Sequence, residues 1–115
     1  MSKRDDIVPL GDMADYGRRV IDRTAHISRE DFDADENLQL AVTHLLQIIG
    51  EAAGLVSKAV CDQHPEIDWP NIVSMRNRIV RDYRHIDIDV VWETATIDVP
   101  RLLNALEAFM PSDPP

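Results

Sequence analysis

The sequence predicts an all-α protein: an antiparallel bundle of four to five helices that works as a homodimer. Three observations carry that prediction. Only 4 glycines interrupt 115 residues. No apolar–polar alternation of the kind that marks a strand persists along the chain. The longest apolar pattern, from Leu38 to Val60, recurs at helical period. A chain of this length makes one domain with a modest core, read here as residues 1–110 followed by a short tail, 111–115, that is expected to be disordered.

A first helix is expected from about Leu10 to Ile27, with an earlier start at Asp5 left open. Pro9 would then sit in its first turn or break it. Tyr16, Val20 and Ile27 mark one face, and Arg18, Arg19, Asp22 and Arg23 fall mostly outside it. Ser28-Arg29-Glu30-Asp31 reads as a turn, with Asp33 or Asp35 able to cap the helix after it. That helix is the longest. Leu38, Val42, Leu45, Ile49, Ala52, Val56 and Val60 form its stripe, and Leu46, Ile48 and Ala53 widen it. That two-sided apolar surface exceeds what one small bundle buries, which is the reason to expect a dimer. Gly50 and Gly54 point to close approach by another helix, or else to a bend.

The stretch from His64 to Pro70 reads as a loop. Pro70 suits the first turn of a new helix, with Asp68 or Trp69 just before it. That helix carries Ile72, Met75 and Ile79 on one face and is expected to fray near Asp82 to Arg84. Asp87 or Asp89 could cap a last helical region through Val91, Trp92, Ile97, Leu102, Leu103, Leu106 and Phe109. Pro100 would kink it or divide it in two.

Composition narrows the function. The net charge is -9, which argues against nonspecific coating of DNA, because polyanion affinity comes mainly from neutralising phosphates. A short RNA or a nucleotide phosphate in a local basic pocket stays open, as does a basic partner. Cys61 is the one cysteine, so no internal disulfide forms, which fits a cytoplasmic protein. No nucleophile signature surrounds it, and it reads as a small residue near a helix end. No apolar run reaches membrane-spanning length, and no apolar core follows the N-terminal Met1-Ser2-Lys3-Arg4, so neither a membrane segment nor a signal peptide is expected. No pair of histidines has metal-ligand spacing beside a cysteine or carboxylate set, so no metal and no cofactor is expected.

The most informative segment is Met75-Arg76-Asn77-Arg78-Ile79-Val80-Arg81-Asp82-Tyr83-Arg84-His85. It gathers Arg76, Arg78, Arg81 and Arg84 on an otherwise acidic chain, a candidate site for phosphate or RNA. On a continuous helix Arg76, Val80 and Tyr83 would share one face. Arg81 would lie about 140° from Arg76, at roughly 100° per residue. The two arginines converge only if the helix ends near there, or if a second chain brings its copy alongside in a dimer cleft. Arg76 can grip a phosphate with two hydrogen bonds. Asn77 offers a donor and an acceptor. The hydroxyl of Tyr83 could accept a transferred group. The plainer alternative is a solvated basic face paired with acidic neighbours.

The same residues carry a resemblance. Arg76-Asn77-Arg78-Ile79-Val80, then Asp82-Tyr83, Ile86-Asp87 and Val91-Trp92-Glu93, resemble the HepT-type HEPN proteins of bacterial and archaeal toxin–antitoxin pairs. Thr24 to Phe32 resembles that family's first turn, Ile48 to Ala53 its second helix and His64 to Trp69 its central loop, so the likeness spans nearly the whole chain. It implies an all-helical, usually dimeric HEPN bundle. It implies a metal-independent endoribonuclease with a composite site in the dimer cleft. It also implies a partner, a minimal nucleotidyltransferase antitoxin, that silences the toxin by transferring AMP to the motif tyrosine. By position the motif arginine is Arg76, its polar neighbour Asn77 and the AMP acceptor Tyr83.

The family's motif has histidine where this chain has Arg81. Metal-free RNA cleavage needs a group that takes a proton from the 2′-hydroxyl or gives one to the leaving oxygen, and histidine suits both tasks. Arginine stays protonated. Arg81 can hold phosphate and stabilise developing charge, but the loss of acid–base help costs roughly 10²- to 10⁴-fold in rate. The expected enzyme is therefore weakly active or inactive; the alternative is a non-catalytic helical dimer that binds the nucleotidyltransferase, nucleotide or both. His85, past the expected helix end, is a candidate to take over proton transfer, but beside Arg84 and Asp87 it reads first as a surface residue; His44 reads as a partly buried polar residue. Glu51, midway along an apolar helix, is expected to pair with a motif arginine and orient it, or else to face outward.

Overall fold

The computed structural model describes residues 3–82 and 85–110, with the side chains of Lys3, Arg4 and Arg81 outside the description. Tyr83 and Arg84, both candidate site residues, and the tail at 111–115 also lie outside the described residues. The chain folds as an all-α bundle. Its order is α1 (Lys3–Thr24), α2 (Arg29–Asp33), α3 (Glu36–Gly54), α4 (Lys58–Gln63), α5 (Trp69–Val73), α6 (Met75–Ile79), a two-stranded hairpin of β1 (Val80–Asp82) and β2 (His85–Ile86), α7 (Ile88–Glu93), a π-helical turn (Thr94–Asp98) and α8 (Val99–Phe109). No helix among the described residues is long and apolar enough to cross a membrane.

Helix α1 packs along both α3 and α8. It starts well before the expected Leu10, close to the alternative start at Asp5, and ends at Thr24, short of the expected Ile27; Pro9 lies inside it. Only about a turn and a half precedes the proline, so the lost hydrogen bond and the ring clash touch little helix. That leading turn is also tied down: Asp6 is buried and accepts hydrogen bonds from the Ser57 backbone N–H at 2.7 Å and hydroxyl at 2.8 Å. The buried stripe is Asp6, Leu10, Met13, Gly17, Val20 and Thr24, whereas Tyr16 and Ile27 are only partly covered. Polar Asp6 and Thr24 and bare Gly17 hide this stripe from a hydropathy reading. Thr24 satisfies its hydroxyl by donating to Val20 O at 2.9 Å.

Ser28 to Asp31 is more than a turn. Ser28 caps the one-turn helix α2, accepting from Asp31 N at 3.0 Å. The helix delivers Phe32 into the core, where its ring packs 5.0 Å from that of Trp92. Asp35 caps α3, accepting from Leu38 N at 3.0 Å. The α3 helix ends at Gly54, so the apolar stripe outruns it: Val56 lies beyond the helix end, and Val60 belongs to α4. Both sides of α3 are buried within one chain, including Leu46 and Ala53, so its widened stripe is covered inside the protomer and does not itself call for a dimer. On α3 Leu40 is left exposed, and among the described residues so are Ile7, Val8, Leu55, Val73 and Ile97. Gly50 is the point of close approach, because a Cβ there would stand 3.1 Å from the Ile72 carbonyl oxygen of α5.

Asp68 caps α5, with Pro70 in its first turn. The expected single helix through Ile72, Met75 and Ile79 is broken at Ser74 into α5 and α6, although all three side chains stay buried. Asp87 caps α7, accepting from Val90 N at 3.2 Å. The last helical region is divided, not at Pro100 itself but by the π turn Thr94–Asp98 that joins α7 to α8, and Pro100 sits in the first turn of α8, where its missing N–H costs little.

Candidate functional site

Helix α6 presents the first half of the basic segment. Met75 and Ile79, one turn apart, are 3% and 0% exposed and pin the helix to the core. Arg76, Asn77 and Arg78 lie between them and are exposed. Arg76 and Arg78 sit about 200° apart at roughly 100° per residue. Arg78 turns towards α5, donating to Asn71 O at 3.1 Å. It borders a cleft of about 300 Å³ that Arg101 shares with the carboxylates of Glu66, Asp68 and Asp98. Arg76 makes no ion pair or side-chain hydrogen bond among the described residues, and the same holds for Asn77. Arg76 is therefore a cation open to a ligand, while Arg78 serves the α5–α8 side.

The helix ends at Ile79, not in the Asp82 to Arg84 region. Val80 already has extended backbone, φ -95 and ψ 108. The chain enters β1, which pairs antiparallel with β2 through Val80 opposite Ile86 and Asp82 opposite His85. The half-buried Val80 and Ile86 pack on the core and seat the hairpin. Asp87 N donates to Ile79 O at 2.7 Å and closes its base. The register shifts between Val80 and Asp82, a bulge-like irregularity at Arg81. Bulges recur beside active sites because they re-aim the side chains around them. Arg76 and Arg81 are thus separated by a helix end, one of the two arrangements under which they can converge.

Across the hairpin the imidazole of His85 stands with Nδ1 2.9 Å from both carboxylate oxygens of Asp82. The His85 side chain is 61% exposed. This pair is hidden from a sequence reading, because strands of three and two residues are too short to leave a periodic signal. Glu51 is exposed on α3 and makes no ion pair or hydrogen bond among the described residues, so its outward-facing alternative matches the side chain's position in the single chain. His44 is exposed, not partly buried. His64 is stacked on Phe109, with ring centroids 3.6 Å apart.

Cys61 is partly buried. Burial first, then the nearby carboxylates of Asp62 and Asp6, push its thiol above the ordinary cysteine range. Among the described residues no three His, Cys, Asp or Glu side chains cluster so as to hold a metal ion.

The fold and the segment together define a small helical-bundle protein that carries an exposed arginine and a bulged hairpin at one helix end. Residues 13–109 match the model of the family described as "Ribonuclease HepT-like". This chain belongs to the HepT-like ribonuclease family. It is 35% identical over 98 residues to a protein of Thermococcus cleftensis named "Probable ribonuclease HepT", covering 85% of this chain and 89% of that one. It is 30% identical over 110 residues to "Putative RNase MJ1216" of Methanocaldococcus jannaschii, covering 96% of this chain and 91% of the relative. "Putative RNase TTE0752" of Caldanaerobacter subterraneus is 34% identical over 83 residues, or 72% of this chain and 74% of the relative. No solved structure matches the chain.

Proposed function

We propose that this protein is the toxin of a HepT/MNT-type toxin–antitoxin pair, a cytoplasmic, metal-independent endoribonuclease that works as a homodimer. The observation that carries the reading is the exposed Arg76, without an ion pair among the described residues, on a short helix whose chain turns at once into the bulge holding Arg81. Two copies of such a helix end, facing each other across a dimer cleft, make a composite site for a sugar–phosphate chain. Arg76 and Arg81 grip phosphate and stabilise developing charge. Asn77 supports them, and Arg84 adds cationic attraction. Arg78 belongs to the neighbouring cleft and contributes field more than contact. The exposed carboxylate of Glu51 is available to orient an arginine of the other protomer.

A minimal nucleotidyltransferase antitoxin silences this enzyme by transferring AMP to Tyr83. Because Arg81 stands where the family has histidine, cleavage by the protein as it occurs is weak. Arg81 also favours a second reading, a non-catalytic dimer that keeps its nucleotidyltransferase partner or a bound nucleotide and has lost RNA cleavage.

The deciding experiment is RNA cleavage by this chain beside its Arg81→His variant. Faster cleavage by the variant is expected, by at most roughly 10⁴-fold, the ceiling of acid–base help. Equal, strong cleavage by both would refute the role given to position 81. Mass spectrometry after co-expression with the nucleotidyltransferase should find an AMP-sized adduct on Tyr83. No stable complex with that enzyme would count against both readings.

A further inference from the structure

We infer that His85, held by Asp82, is the proton-transfer residue for RNA cleavage in this chain, in place of the histidine missing at position 81. The inference rests on the ribonuclease reading and adds a catalytic residue to it. It starts from the geometry of the hairpin. Asp82 comes directly after the bulge at Arg81, and its Cα partner across the ladder is His85. The Asp82 carboxylate takes up Nδ1 with both oxygens at 2.9 Å. A carboxylate on one ring nitrogen fixes the ring's orientation and leaves Nε2 as the nitrogen that meets a substrate. With 61% of its side chain exposed, His85 can reach an RNA strand lying on the protein surface.

The chemistry of the segment points the same way. The arginines can bind and polarise a phosphodiester, yet none can accept a proton. Of the other histidines, His64 is stacked on Phe109, His26 lies in the α1–α2 connection and His44 lies on the outer face of α3. Only His85 stands in the segment that carries Arg76 and Arg81, and it is already oriented by a carboxylate. Asp82 acts through His85 and is a positioning residue.

These groups suffice for one reaction. Nε2 of His85 takes the proton of a ribose 2′-hydroxyl while the 2′-oxygen attacks the adjacent phosphorus. The bond from phosphorus to the 5′-oxygen breaks, and that oxygen takes a proton from solvent. The imidazolium returns its proton to solvent. The products are a 2′,3′-cyclic phosphate and a free 5′-hydroxyl, with no oxidant, metal or nucleotide consumed.

The test uses the full-length protein and a single-stranded RNA oligonucleotide, read for cleavage rate, end groups and binding. His85→Ala should lower cleavage about 100-fold or more while RNA affinity stays within about twofold, because the residue is exposed and the arginines remain. Asp82→Asn should lower kcat with little change in KM. Adding Arg81→His to His85→Ala should restore cleavage. If His85→Ala cleaves like the parent, or loses binding and cleavage together, the assignment to His85 is wrong while the ribonuclease reading stands. If the parent cleaves no better than Arg76→Ala, the ribonuclease reading fails and the role of His85 goes with it.

Discussion

Asp6 clasps Ser57: one buried carboxylate near the start of α1 accepts both the backbone N–H and the hydroxyl of the residue that caps α4. The contact ties the turn before Pro9 to the segment just beyond α3 and sets these two helices antiparallel. Asp6→Ala strips two partners from buried donors. Hydrogen bonds to charged groups contribute about 1.5–3 kcal/mol each, with non-additive sums, so a loss of about 2–4 kcal/mol is expected. Asp6→Asn keeps one acceptor and should lose less. Urea unfolding reads both, as a lower midpoint at unchanged slope.

The two glycines of α3 should respond in opposite ways. At Gly50 a methyl would press the Ile72 carbonyl at 3.1 Å, whereas at Gly54 it meets only Val73 Cγ1 at an ordinary 3.9 Å. Gly54→Ala should stabilise by up to about 0.5 kcal/mol, since alanine is the better helix former. Gly50→Val forces α5 away and should cost about 1–3 kcal/mol. Thermal melts of the two variants beside the parent separate these outcomes.

Cys61 should be a slow thiol. The thiolate is the reactive form, and burial with Asp62 and Asp6 nearby holds the proton on to higher pH than in a free cysteine. Alkylation by iodoacetamide at pH 7 should be slower than for free cysteine and should catch up only at more alkaline pH. The folded chain keeps this proton after the unfolded chain has released it, so stability falls as pH rises through that window. Cys61→Ala should remove that part of the alkaline slope.

Arg76→Ala should weaken RNA binding and its dependence on salt together. Each phosphate contact on a single strand contributes a slope of about -0.7 in log K against log salt. The variant should show a shallower slope by about that amount for each protomer engaged. Arg78→Ala, at a side chain turned towards Asn71, should change the slope less. The reverse order of the two effects would place the phosphate on the cleft side of α6.

Local pattern and capping chemistry are enough to recover the all-α class and the apolar helix α3, though α1 and not α3 is the longest, and to narrow each cap to a pair of residues that includes Asp35, Asp68 or Asp87; of the two glycines flagged for close approach, only Gly50 makes it. These signals act within a few residues, through helical period, side-chain oxygens on exposed N–H groups and the bulk of a Cβ. The resemblance carried by the Arg76 to Tyr83 segment also locates the family from sequence alone. Packing decides the rest. Asp6 is buried because Ser57, 51 residues away, supplies its donors. Helix α6 stops at Ile79 because the half-buried Val80 and Ile86 pack on the core as paired strands, which no helical continuation would allow. The Asp82–His85 pair exists only across that hairpin, where strand register brings the two side chains face to face.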